Sequence, residues 1–157
     1  MLLTKENRLA IKISLETGAR IDDVLNLKTS QIQKKPIVYI EKKTGKKRTL
    51  KVSKNTHNEM IENADIYYLF PNRKDPFKHR TRQAVWKDVK RAQKALRIKE
   101  NLAPHSARKN FAVRMMTKYH SIEKVQKELN HSSPETTMIY ALAQILSEKG
   151  IDNNFKK

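Results

Sequence analysis

The chain has 157 residues, and 34 Lys+Arg against 16 Asp+Glu give a formal charge of +18, while 38% hydrophobic residues suffice for one compact core. Neutralising phosphates releases their condensed counterions, so nucleic acid is the leading partner; a membrane surface ranks last, because the basic residues are spread along the chain instead of lining one amphipathic helix. Without cysteine there is no disulfide framework, thiol nucleophile or thiolate metal site, and Gly18, Gly45 and Gly150 stand too far apart for a phosphate-cradling loop, which argues against a nucleotide cofactor.

Thr4 caps a first helix with Leu9, Ala10 and Ile13 facing inward and Leu2 as a further candidate for that face; Gly18 ends it as a left-handed residue would. A second helix starts near Ile21. Its Ile21, Val24, Leu25 and Leu27 recur at helical spacing, and Asp22 and Asp23 occupy the first turn, where the helix dipole favours negative charge. From Pro36 the pattern changes. Ile37 to Ile40 reads as a strand and Thr49 to Val52 as its partner, with KKTGKKR as a hairpin tip that turns at Thr44 and Gly45 and carries five basic residues in seven. Asn55 to Ala64 reads as a short helix, Ile66 to Phe70 as a third strand or a buried connector, and Pro71 to Arg80 as a surface loop.

Val85, Val89, Ala92 and Leu96 mark an amphipathic helix from about Thr81, with Trp86 a candidate to extend its buried face. Pro104 and His105 lead into another helix through about Tyr119, with Met115 and Met116 in the core. Ser121 caps a short helix carrying Ile122, Val125 and Leu129, and Ser133-Pro134-Glu135 opens a last one. Residues 1–150 form one domain and 151–157 a flexible tail. The start, MLLTKENRLA, is no secretory signal, and no apolar stretch is long enough to cross a bilayer.

Three segments are too polar for a core yet sit beside apolar, structured ones: ETGARIDDVLNL (16–27), PHSARKNFA (104–112) and ELNHSSPETTMIYA (128–141). Singly, their residues have plain readings. Arg20 and Arg108 would be surface cations, His105 and His131 helix caps, Tyr140 a half-buried core tyrosine, and the basic hairpin tip a solvated turn. Jointly the segments resemble the signature boxes of the tyrosine recombinases, the phage-integrase family. That pattern has an arginine after Thr-Gly-x at a helix start, a His-x-x-Arg pair at another, and Leu-x-His with a tyrosine nine residues on; here these are Arg20, His105 with Arg108, His131 and Tyr140. A lysine on the hairpin between the first two boxes best matches Lys43, with Lys42 and Lys46 as rivals.

The resemblance implies an α+β fold, mainly helical with a small antiparallel sheet, and DNA strand cleavage and rejoining without metal, ATP or cofactor. It implies a 3′-phosphotyrosyl bond to Tyr140, with Arg20 and Arg108 clamping the phosphate, His131 donating to it, His105 assisting the nucleophile, and Lys43 protonating the departing 5′ oxygen. The chemistry of the side chains agrees. An arginine fork holds two phosphate oxygens and stays charged, whereas a tyrosine hydroxyl with a pKa near ~10 needs a base or cations beside it. Lys42, Lys46, Lys47 and Arg48 are candidate DNA contacts. Double-stranded DNA is the implied partner, a homo-multimer (tetramer) on DNA the implied assembly, and the cytoplasm the implied location, for a bacterial or phage-encoded, nucleoid-associated protein.

Asn130, Ala107 and Lys109 replace the family's usual glycine, leucine and histidine, and Asp23 its usual glutamate; none of these removes a reacting group. Family members also carry an N-terminal DNA-clamping domain, so the chain reads as an isolated catalytic domain, with the helix after Tyr140 docking on a neighbouring protomer. Two other classes share these residues or this charge. They are a type IB topoisomerase, which rejoins the same strand, and a non-catalytic basic DNA-binding module.

Overall fold

The computed structural model describes residues 2–129; the expectations for His131, Tyr140, the helix opened at Ser133 and the tail lie outside the described residues. The chain divides into two compact units, Met1–Arg108 and Lys109–Lys157.

In the first unit, α1 (Lys5–Thr17) begins where the Thr4 hydroxyl accepts the Asn7 N–H and ends at Gly18, whose φ of 66° is the left-handed conformation that favours glycine. Leu9, Ala10 and Ile13 are wholly buried, but Leu2 is 40% exposed. It precedes the cap, so the helical periodicity that aims the other three does not extend to it. The helix α2 (Ile21–Leu25) follows, and a four-residue α3 (Thr29–Ile32), which the sequence did not announce, buries Ile32.

The strands β1 (Ile37–Ile40) and β2 (Lys47–Leu50) pair antiparallel, with Ile37 opposite Leu50 and Ile40 opposite Lys47. The second strand thus starts two residues before Thr49. The turn is closed between Glu41 and Lys46, by Glu41 N–H to the Lys46 carbonyl (2.9 Å) and Gly45 N–H to the Glu41 carbonyl (2.8 Å), so Lys47 and Arg48 belong to the ladder and not to the tip. Gly45 has φ 67°.

Ser53 caps α4 (Lys54–Glu62), which buries Met60 and Thr56. Residues 66–70 form a connector, joined to Lys28 by a single bridge at Tyr68, with Leu69 and Phe70 wholly buried while Ile66 is 89% exposed. Pro71 to Arg80 is a surface loop except at Arg80, which is buried and donates to Asn7 Oδ1. Thr81 caps α5 (Arg82–Ala95), with Val85 and Val89 inside. Trp86 and Leu96 lie outside the core, against expectation. One residue past Val85 is a rotation of about 100°, and Leu96 is the residue at which the helix ends. Asp88 binds α5 to the start of α1, accepting from Thr4 N–H (2.8 Å) and Asn7 Nδ2 (2.9 Å) and pairing with Arg91. Burial pushes its carboxyl up, and those donors outweigh it to hold the pKa below the ordinary value.

The helix α6 (Pro104–Tyr119) crosses from the first unit into the second. The second unit packs Phe111 and Ala112 with Val125 and Leu129 of α7 (Ile122–Leu129), and Met115 and Met116 lie partly buried against them. Ser121 Oγ accepts the Lys124 N–H, as a cap does. The architecture is mainly helical with one small antiparallel sheet. No helix among the described residues is long and apolar enough to cross a membrane.

Candidate active site

The turn between α1 and α2 is tied down before it presents any charge. Ser14 Oγ donates to the Ala19 carbonyl (2.8 Å), the Thr17 hydroxyl accepts the Ala19 N–H (3.2 Å), and Arg108 Nη1 donates to the Gly18 carbonyl (2.6 Å). Arg20, with extended backbone at the N-cap of α2, therefore leaves a fixed loop. Its Nη1 lies 3.0 Å from Glu41 Oε1 and 4.0 Å from Asp23 Oδ2, distances of ion pairing without hydrogen-bond alignment. The side chain keeps 21% of its surface exposed.

That exposed part faces a cleft of about 840 Å³, lined by Arg20 to Asp23, Lys42 and Lys43 of the hairpin, Arg82, Gln83 and Trp86 of α5, and Ala103 to His105 at the start of α6. His105 is exposed and lies inside α6, not at its cap position; at the same end Ser106 Oγ accepts the Ala103 N–H (3.1 Å) and the Ser106 N–H reaches the Ala103 carbonyl (2.8 Å). Four of the candidate site residues picked out in the sequence thus share one cleft: Arg20, Lys43, its rival Lys42, and His105.

Arg108 does not line the cleft and is 2% exposed, anchored on the Gly18 carbonyl two residues before Arg20. Burial, with the positive charges of Arg20 and Arg48 beside it, lowers its pKa to about 10, which still leaves a cation at neutral pH. Lys46 and Lys47 are exposed and do not line the cleft. Arg48 differs from them: its side chain is 14% exposed and Nη1 is hydrogen-bonded to Glu41 Oε1 (3.0 Å), so the expected DNA contact falls on a guanidinium already engaged within the protein.

Sequence reasoning missed Glu41, whose wholly buried carboxylate is shared by Arg20 and Arg48 and also accepts from Thr44 Oγ1 (2.7 Å). A lone acid at the end of an apolar strand and the head of a basic run was the available signal. Asp23 faces two ways: Oδ2 lies 4.0 Å from Arg20 Nη1, and Oδ1 accepts the Lys42 N–H (2.9 Å). Burial raises the Asp23 pKa, with the Lys42 N–H opposing; burial likewise raises the Tyr39 hydroxyl, opposed by Arg48. Arg82, Gln83 and Trp86 were also missed, since a tryptophan at helical spacing reads as core. Among the described residues, no three His, Asp or Glu side chains cluster as metal ligands would.

A sequence profile described as the phage integrase family matches residues 2–145. The integrase of Escherichia phage P2 is 31% identical over 139 residues, covering 88% of this chain and 38% of its own length. The tyrosine recombinase XerH of Campylobacter jejuni is 30% identical over 149 residues, covering 87% and 41%. The chain thus spans less than half the length of these relatives. Among solved structures, XerH bound to its palindromic difH substrate in a post-cleavage complex superposes with a TM-score of 0.73 at 23% identity, over 98% of this chain and 46% of that one. A lambda integrase dimer bound to a COC′ core site gives 0.70 at 22% identity, over 86% and 51%.

Proposed function

The chain belongs to the phage integrase family, and from that membership we propose that it cuts and rejoins DNA at specific sites through a 3′-phosphotyrosyl intermediate on Tyr140, without metal or ATP. The observation that carries the reading is the cleft that gathers Arg20, Lys43 and His105, with the buried Arg108 cation bonded to the loop that carries Arg20. Cations aimed at a phosphate lower the barrier because they are in place before charge grows on its oxygens.

Arg20 and Arg108 draw negative charge from the non-bridging oxygens, and His131 donates to one of them. The Tyr140 hydroxyl attacks phosphorus and passes its proton to His105, the new O–P bond forming as the bond to the 5′ oxygen breaks. Lys43 gives that oxygen a proton, so it departs as a hydroxyl. The bond energy is kept in the phosphotyrosine, and a 5′ hydroxyl from a second duplex reverses the step. Double-stranded DNA is the substrate, and exchange between two duplexes calls for a tetramer.

The test is a denaturing gel of the protein with nicked duplexes in EDTA beside Tyr140→Phe. A nick lets the short 5′ fragment diffuse away and traps the adduct; candidate attachment sequences and random supercoiled DNA are both tried. The expected result is a covalent band absent from the variant, with strands exchanged between duplexes. A band with relaxation by a monomer and no exchange favours the topoisomerase, and salt-sensitive binding without any band makes the protein a binding module.

A further inference from the structure

Two carboxylates fasten the base of the basic hairpin to the loop that carries Arg20. Asp23 Oδ1 takes the Lys42 N–H (2.9 Å). Glu41 reaches the other way, placing Oε1 3.0 Å from Arg20 Nη1 and 3.0 Å from Arg48 Nη1 across the ladder, while Oε2 accepts from Thr44 Oγ1 (2.7 Å) in the turn. Its backbone closes the same turn, through the Lys46 carbonyl and the Gly45 N–H. One wholly buried residue therefore joins the cleft arginine, the second strand and the turn on either side of Lys43.

We propose that Glu41 is a positioning residue: by joining Arg20, Arg48 and Thr44 it sets the hairpin so that Lys43 stands at the cleft beside Arg20. The inference rests on the strand-cleavage reading above. A two-stranded hairpin is marginal in isolation, and a lysine at its tip is a useful acid only if the tip has one place to be. A wholly buried acid ion-paired with one arginine and hydrogen-bonded by a second and by a hydroxyl supplies that constraint, because breaking these contacts leaves its charge buried without partners.

Glu41→Gln keeps the shape and removes the charge. Single-turnover adduct formation is measured with two suicide duplexes, one with the ordinary 5′ bridging oxygen at the cleaved phosphate and one with sulfur there. The departing thiolate needs no proton, so the sulfur duplex is indifferent to where Lys43 sits. A positioned general acid is worth roughly 10²–10⁴-fold, and loosening it should forfeit about tenfold or more on oxygen, with rates on sulfur staying within about threefold of wild type. Equal loss on both duplexes overturns the proposal, since damage to Arg20 or to the fold slows them alike.

A second readout does not depend on catalysis. Trypsin nicking after Lys42, Lys43 and Lys46, compared equally far below each protein's melting temperature, should be several-fold faster in Glu41→Gln, and an unchanged nicking rate overturns the positioning claim. Should Glu41→Gln not fold, Thr44→Ser keeps the Lys46 N–H contact (3.3 Å) and the bond to Oε2 as a control, while Thr44→Val removes both and should show the same oxygen-to-sulfur split at smaller size. If the wild type forms no Tyr140-dependent adduct on either duplex, the cleavage reading fails, and the nicking comparison still decides whether Glu41 holds the hairpin.

Discussion

Around Arg20, burial sets the behaviour of the Asp23 carboxylate more than charge pairing does. Asp23 is 4% exposed, and its pKa is raised by burial, in spite of the Lys42 N–H and the two nearby arginines. In the folded protein it therefore holds its proton to higher pH than in the unfolded chain. Over the interval above about pH 4 the folded state binds more protons, so this residue makes stability fall as pH rises, and at neutral pH its charge is a cost. Asp23→Asn has no proton to lose and keeps an oxygen for the Lys42 N–H. Thermal melts of both proteins from about pH 4 to pH 7 should show the variant gaining on the wild type as pH rises. A constant difference would mean that Arg20 and Arg108 balance the charge fully. Arg20 and His105 were legible in the sequence because each sits in a motif with a fixed spacing, whereas the hairpin offered Lys42, Lys43 and Lys46 with no spacing to choose among them. Glu41 was not legible, because a strand pattern tells which face a residue occupies and not which arginines the fold brings against it.

At the scale of elements, what the sequence announces is local capping chemistry, and what it hides is decided by packing. Thr4, Ser53, Thr81 and Ser121 each accept a backbone N–H at the start of a helix, as their hydroxyls lead one to expect. By contrast, α3 is one turn with a single buried residue, too short to carry a period, and Trp86 looked like core until the position of the cleft was known. The ends of α5 and α6 supply a further contrast, since Arg97 (φ 53°) and His120 (φ 48°) take the left-handed conformation that Gly18 takes at the end of α1. A side chain there crowds its own backbone at roughly 1 kcal/mol or more, whereas glycine does not. Arg97→Gly relieves this but gives the unfolded chain more freedom, which offsets part of the gain. The expected net is a stabilisation of about 0.5 kcal/mol in urea unfolding with an unchanged m-value. Destabilisation would show that the Arg97 side chain makes contacts worth more than the strain.

For the molecule as a whole, a charge of +18 is a statement about association more than about folding. Many cations are already engaged within the protein: Arg8 and Lys12 on Glu59 (2.8 and 2.7 Å), Arg82 beside Asp22, and Arg20 and Arg48 on Glu41. Lys42, Lys43, Lys46 and Lys47 are exposed and form no ion pair among the described residues, so the hairpin concentrates charge that is open to a phosphate backbone. Each phosphate neutralised contributes about 0.9 to the slope of log affinity against log salt. Replacing Lys42, Lys46 and Lys47 together by alanine, with Lys43 left for chemistry, should therefore reduce that slope by about 2 to 3, measured by anisotropy of a labelled duplex across a salt series. Arg48→Ala should leave the slope where it is, because its guanidinium faces Glu41 and neutralises no phosphate. If the triple variant keeps the wild-type slope, the phosphates are held elsewhere and the hairpin lysines are a solvated turn. A slope lowered equally by Arg48→Ala would mean that the Glu41 contact opens when DNA binds, which makes the hairpin a moving part of the site and not a fixed one.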